Sequence, residues 1–305
     1  MLQIKTARLL VEQAGYEPAK ILMAAGRYVV FRARKGKRDY AIKCSEPDEA
    51  ANLHNESVVN RFLHSVTPRK AGFIFPRSEF IGTEDGALLI SDFVAGRWLG
   101  YRRPVLHSRL SLRDLESIYE VMVFLAGLAQ DELPESLVTR ARREFTPRYY
   151  HAKMDWYAAP ALEAGLLDRD ELAHLHSMVG LHFKRSFAHH DLVPWNLCRL
   201  KDGRLAVTDS EFARWGIAWY DMAYLYLQLA ALEKNRALAR RAFRYLAGRF
   251  KAEGSAQGLE QGIFPALAFR ITGNLWIAAR ERDKRRAARS ALEVVLSGEF
   301  SRLLI

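Results

Sequence analysis

Hydrophobic and polar positions divide the chain into a strand-rich first third and a helical remainder. Three runs read as strands: Ala19–Met23, Tyr28–Arg34 and Arg38–Cys44. Their connectors, Ala24-Ala25-Gly26-Arg27 and Lys35-Gly36-Lys37, are short enough to imply an antiparallel meander. A short helix is expected over Ala7–Gln13, and further strands at Phe80–Ile81 and Ala87–Ser91, the second following an Asp85-Gly86 turn. Between these strand groups, Asp48–His64 carries Leu53, Glu56, Val59 and Leu63 at helical spacing on one face.

From Leu112 the pattern is helical. Arg113–Gln130 has an apolar face of Leu115, Tyr119, Met122 and Ala126, with Pro134 beyond it. Helices are also expected over Asp168–Phe183 and Asp221–Leu232. Lys234–Lys251 is rich in Arg and Lys without an acidic residue, and Arg280–Arg289 is similarly basic. Two readings stand for these segments: amphipathic helices with basic outer faces, or a patch that meets anionic lipid or another polyanion.

One hairpin interrupts the helices. Leu197–Leu200 and Leu205–Val207 flank an Asp202-Gly203 turn. Before it lies His189-His190-Asp191-Leu192-Val193-Pro194-Trp195-Asn196, and after it Thr208-Asp209. The turn brings Asp209 back toward Asn196. An amide oxygen and a carboxylate suit Mg²⁺, which takes oxygen ligands and keeps waters and substrate phosphates as the rest. Asp191 is left to orient and deprotonate a hydroxyl. An Asp base with Asn and Asp for metal are the working parts of phosphoryl transfer.

In the first third, Ala41 and Lys43 share one face of a strand. Ala41 leaves room for an adenine and Lys43 reaches phosphates; the alternative is an exposed edge lysine. Glu56 bears on that choice, because a carboxylate in an apolar stripe needs a charged partner. Lys43 is the candidate.

His189-x-Asp191-Leu192-x-Pro194-x-Asn196, followed by Asp209, Glu211 and Trp219-Tyr220-Asp221-Met222-Ala223, resembles the aminoglycoside phosphotransferase and choline kinase family. The resemblance implies an α+β, two-lobed protein-kinase-like fold. Residues 1–91 would form an N-lobe of antiparallel sheet plus one helix. Residues 92–97 would form a hinge, and 98–305 a larger, mainly helical C-lobe. It implies Mg-ATP between the lobes, Asp191 as catalytic base and Asn196 and Asp209 on the metal. Lys43, held by Glu56, would align phosphates. Phe93 would lie in the hinge that meets adenine, Cys198 under the adenine, and Gly96 at a pivot. His189 would support the loop backbone, and Asp221 would accept backbone hydrogen bonds from it. His190 is expected near the cleft mouth. The insert with Arg140, Arg142, Arg143, Arg148, Tyr149, Tyr150, Trp156 and Tyr157 would form a wall of the acceptor site.

The chain departs from the family at Gly26, the one glycine of the first turn, and at Ser210, where an aromatic residue is common. These departures motivate an alternative, a non-catalytic nucleotide-binding or scaffold protein on the same fold. A protein kinase fits less well, because Asp209-Ser210-Glu211 replaces Asp-Phe-Gly and few residues separate Glu211 from Asp221.

The 305 residues are half hydrophobic, which excludes a disordered chain. No uninterrupted apolar run reaches a membrane span, and the first residues lack a signal-peptide core, so a cytoplasmic protein is expected. Cys44 and Cys198 read as buried thiols rather than a disulfide framework. His174, His176 and His182 read as exposed or hydrogen-bonded side chains. The net charge of +11 admits anionic partners, but no nucleic-acid module is present. The expected partner is a small hydroxyl compound resembling an aminoglycoside, amino alcohol or sugar. The basic chain and its arginine-rich insert lean the choice toward a neutral or anionic one, such as a sugar, a glycan intermediate or a lipid-linked headgroup at a membrane surface.

Overall fold

The computed structural model describes residues 2–25, 27–101, 107–137, 146–180, 182–252 and 260–298. In chain order come α1 (Ile4–Gln13), β1 (Glu17–Ala25), β2 (Tyr28–Lys35), β3 (Arg38–Ser45) and α2 (Ala50–Val66). Next are β4 (Phe73–Ile74), β5 (Ser78–Thr83), β6 (Gly86–Asp92), β7 (Gly96–Trp98), β8 (Gly100–Tyr101) and β9 (His107–Ser108). The helices α3 (Leu112–Gly127), α4 (Pro147–Glu163) and α5 (Arg169–Val179) lead to β10 (Arg185–Ala188), β11 (Leu197–Leu200), β12 (Leu205–Val207) and β13 (Arg214–Ile217). The chain continues through α6 (Tyr220–Leu227), α7 (Arg236–Ala252), α8 (Glu260–Arg280) and α9 (Arg285–Leu296). This is a mixed α+β fold with an antiparallel sheet early and helices late.

The chain forms two compact units, Met1–Trp98 with Asn196–Ala213, and Leu99–Trp195 with Arg214–Ile305. In the first, five strands pair antiparallel in the order β1-β2-β3-β6-β5. The two-residue period of the strands sorts their side chains. Val29, Phe31, Ile42, Cys44, Leu88 and Ile90 face α1, which adds Ala7, Leu10 and Val11. Tyr28, Ala87 and Leu89 face the other way, with Leu53 of α2. Lys43, paired with Val30 and Leu89, belongs to that α2 face. The expected stripe Leu53, Glu56, Val59 and Leu63 is buried as a unit. The helix begins two residues later than expected, because Pro47–Glu49 forms a 3₁₀ turn ahead of it.

The second sheet of this unit has the order β4-β12-β11-β7. Its β11–β12 hairpin matches the expected residues, with Gly203 at φ +88° closing the turn. Only glycine enters that region without steric cost. Pairing with β4 and β7 is what groups residues 196–213 with the first unit. Gly96 is pinned rather than open: a Cβ on it would lie 2.2 Å from the Arg199 carbonyl oxygen and 2.8 Å from Cys198 Sγ.

The second unit is built around α8, against which α4, α5, α6 and α9 pack. By length and composition α8 alone among the described helices could cross a membrane, but 61% of its apolar window is buried in the fold. Several helices are shorter than the sequence pattern implies. α3 ends at Gly127, and α5 ends before Gly180 at φ +63°. After α6, Gln228–Leu232 continue as a π-helical turn. α7 buries Ala239, Phe243, Leu246 and Phe250 and exposes Arg236, Arg240 and Arg244, the amphipathic pattern read from its sequence.

Candidate active site

In the first unit Lys43 Nζ lies 2.6 Å from Glu56 Oε2 and 2.6 Å from Asp209 Oδ1. The side chains of Lys43 and Glu56 are 12% and 3% exposed, and that of Asp209 is 27% exposed. Burial penalises the ammonium, but Asp209 and Glu56 outweigh it and hold Lys43 above its ordinary range. Burial pushes the Glu56 carboxyl up, and Lys43 draws it back. The lysine is thus held as a cation between α2 and the residue that ends the hairpin.

Asp209 sits in the left-handed region at φ +65°, a conformation that Asp tolerates better than most residues. Thr208 donates to the Asn196 carbonyl through both its backbone N–H (3.0 Å) and its hydroxyl (3.1 Å). The ladder therefore runs to Asn196, and Asp209 follows directly. The oxygen-only donor set, one amide and one carboxylate, fits Mg²⁺, which needs few protein ligands. Among the described residues no group of three His, Cys, Asp or Glu could hold a metal by itself.

Sequence reasoning missed the groups around Glu211. Tyr28 donates to Glu211 Oε2 through a short hydrogen bond. Arg27 reaches Glu211 Oε1 at 2.7 Å and Glu49 Oε2 at 3.1 Å. Asn55 Nδ2 donates to the Glu211 carbonyl at 3.1 Å. Arg27 flanks the first hairpin turn; Gly26 lies outside the described residues. The signal was the chemistry of Glu211, an acid two residues past the candidate metal ligand.

In the second unit the loop after β10 is held from below. The His189 N–H donates to Asp221 Oδ2 at 2.8 Å. The Asp191 N–H donates to His189 Nδ1 at 3.3 Å, so the proton of a neutral His189 is on Nε2. Burial lifts Asp221 to about 6, against the pull of the His189, His190 and Leu192 N–H groups. Asp221 and His189 thus occupy the supporting positions the sequence resemblance implied. Asp191 is 8% exposed and accepts a hydrogen bond from Tyr224. His190 is not near an opening: it is buried, at φ +63°, with its ring 4.2 Å from that of Tyr220.

Ala41 pairs with Arg32 and Ser91 on the Lys43 face of β3. The Arg32 guanidinium lies 4.7 Å from the Phe93 ring, and the Phe93 N–H donates to the Asp39 backbone carbonyl at 3.4 Å. Cys198 is buried between its strand partners Trp98 and Ala206. His176 bonds to Asp155 and His151 at 2.7 Å each. Arg140, Arg142 and Arg143 lie outside the described residues.

The family model for the phosphotransferase enzyme family matches residues 24–258. No curated protein sequence matches the chain. Among solved structures, a thermostable mutant of aminoglycoside phosphotransferase APH(4)-Ia, in ternary complex with AMP-PNP and hygromycin B, is 17% identical with a TM-score of 0.60; the match covers 96% of this chain and 98% of that one. APH(2")-IIia in complex with GDP and kanamycin is 16% identical, with a TM-score of 0.65 and coverage of 98% and 100%. Macrolide 2'-phosphotransferase MphH from Brachybacterium faecium is 17% identical, with a TM-score of 0.61 and coverage of 93% and 96%. At these identities the likeness shows the fold.

Proposed function

Since the chain belongs to the phosphotransferase enzyme family and is a small-molecule phosphotransferase, we propose that it moves the γ-phosphoryl group of ATP to a hydroxyl of a small molecule. The observation that carries this reading is Lys43 Nζ joined at 2.6 Å to both Glu56 and Asp209. The two carboxylates keep the buried ammonium charged and fix its position, the arrangement a phosphate-aligning lysine needs.

Lys43 would orient the nucleotide phosphates, with Glu56 fixing its position. Ala41, Phe93 and Cys198 would border the adenine. Asn196 and Asp209 would hold Mg²⁺, which when bound supplies charge neutralisation at the phosphates. Asp191 would accept the proton of the acceptor hydroxyl, and the Tyr224 hydrogen bond would fix its carboxylate. Positioning and fixed charge account for most of the rate in such sites. The buried thiols Cys44 and Cys198 fit a reducing compartment, and the cytoplasm is the proposed location.

The test is ADP release across a panel of hydroxyl acceptors, with Asp191→Ala and Asp209→Ala as controls. Full turnover in either variant would overturn the assignment. Mg-dependent nucleotide binding without turnover of any acceptor would instead favour a non-catalytic nucleotide-binding protein.

A further inference from the structure

Asp191 lies among cationic and phenolic groups of its own unit. The charged groups that act on Tyr224 are Arg270 and Asp191. Those that act on His190 are Arg214 and Arg270. Arg214 is placed by register: it pairs with Ala188 across β10 and β13, directly before His189. Arg270 projects from α8 with its guanidinium 3.8 Å from the Tyr224 ring centroid, and it donates to Tyr220. Arg270 therefore acts on Asp191, the candidate base, and Arg214 acts on His190, the residue beside it.

Three buried polar atoms here have no hydrogen-bond partner among the described residues: Arg270 Nε and both ring nitrogens of His190. Buried polar atoms are nearly always paired, and an orphan calls for a ligand or an ordered water. Arg270 Nε–H can only donate. Burial and the nearby Arg214 hold His190 well below the ordinary imidazole range, so at neutral pH it adds a local donor and acceptor but no charge. A ligand that answers Arg270 must bring an acceptor oxygen. An ammonium brings only donors, and it would be repelled by the guanidiniums. The aromatic surroundings strengthen the effect by excluding water around the charges.

We infer that the acceptor carries an anionic group, a carboxylate or phosphate, which Arg214 and Arg270 receive beside Asp191. This rests on the phosphotransferase reading for the hydroxyl and adds the class of molecule that bears it. It separates this chain from a kinase of polycations, whose site would need carboxylates where these arginines stand.

The experiment has two arms on the full chain. In the first, inorganic phosphate is titrated against wild type, Arg214→Gln, Arg270→Gln and Arg270→Lys, and the melting temperature is followed. Binding at the nucleotide lysine is common to all four, so the difference between proteins reports the arginine site. We expect each Gln variant to lose part of the phosphate-induced shift and Arg270→Lys to keep most of it. Equal shifts in all four proteins overturn the inference. In the second arm, glucuronate, glucose and glucosamine are compared as acceptors by ADP release. The expected order of kcat/KM is glucuronate, glucose, glucosamine. Each Gln variant should lower the ratio of glucuronate to glucose by roughly tenfold to a hundredfold, the range of one charge-assisted hydrogen bond. A preference for glucosamine, or an unchanged ratio in the variants, sinks the anionic acceptor while leaving a kinase. Conversely, arginine-dependent phosphate binding in a protein that turns over no acceptor would retain the anion site and remove the phosphotransfer role of Asp191.

Discussion

Lys43 Nζ lies 2.6 Å from Asp209 Oδ1, joining the central strand of the first sheet to a residue 166 positions later in the chain. Neither group reaches the other through local structure. β3 sets the face of the lysine, and the β11–β12 hairpin sets the return of the carboxylate. Under the proposed function, this contact would tie phosphate alignment to metal binding through one hydrogen bond.

Asp191→Ala and Asp209→Ala should both abolish turnover but differ in binding. Loss of a general base costs about 10²–10⁴ in rate. Only Asp209→Ala should also weaken Mg-dependent ATP binding, measured by calorimetry with and without the metal. Equal nucleotide affinity in the two variants would count against Asp209 as a metal ligand.

Lys43→Ala leaves Glu56 buried and unpaired. Breaking a buried pair from one side costs about 3–5 kcal/mol. We expect a clear drop in the denaturant midpoint of Lys43→Ala, much of which Lys43→Ala/Glu56→Gln recovers. Neither variant should regain activity. A single variant as stable as wild type would show that the pair is not under strain from burial.

Asp221 titrates at about 6 in the fold against an ordinary 3.8. The folded chain therefore holds this proton more tightly than the unfolded chain. Its contribution to stability is complete below 3.8 and is lost as pH rises through about 6. Wild type minus Asp221→Asn, compared by denaturant midpoints across that window, should show stability falling as pH rises. Parallel curves for the two proteins would mean that Asp221 titrates normally.

Gly96→Ala should disturb the fold, because its Cβ would meet the Arg199 carbonyl oxygen at 2.2 Å. Overpacking of this kind costs about 1–3 kcal/mol. The loss should appear as a lower melting temperature. A neutral effect on stability with altered turnover would favour the pivot role read from the sequence.

The sequence legibly carried everything that depends on a short period or a tight turn. Helical spacing put Glu56 in an apolar stripe, and the cost of an unpaired buried carboxylate named its partner. Asp202-Gly203 required a turn and so returned Asp209 to the level of Asn196. Helix ends were less legible. α5 stops at Gly180 because that residue adopts a positive φ, a choice the apolar pattern around it does not reveal.

Tertiary packing alone decided the surroundings of the candidate base. Arg270 lies in an apolar helix where nothing in the local pattern marks it, yet packing of α6 against α8 sets its guanidinium on Tyr224 beside Asp191. Arg27 and Tyr28 meet Glu211 only because the first hairpin folds over the same face as α2. Strand alternation and turn chemistry act over a few residues and are written in the order of the chain. Ion pairs between distant segments depend on where whole elements pack, and that is settled by the burial of many side chains at once.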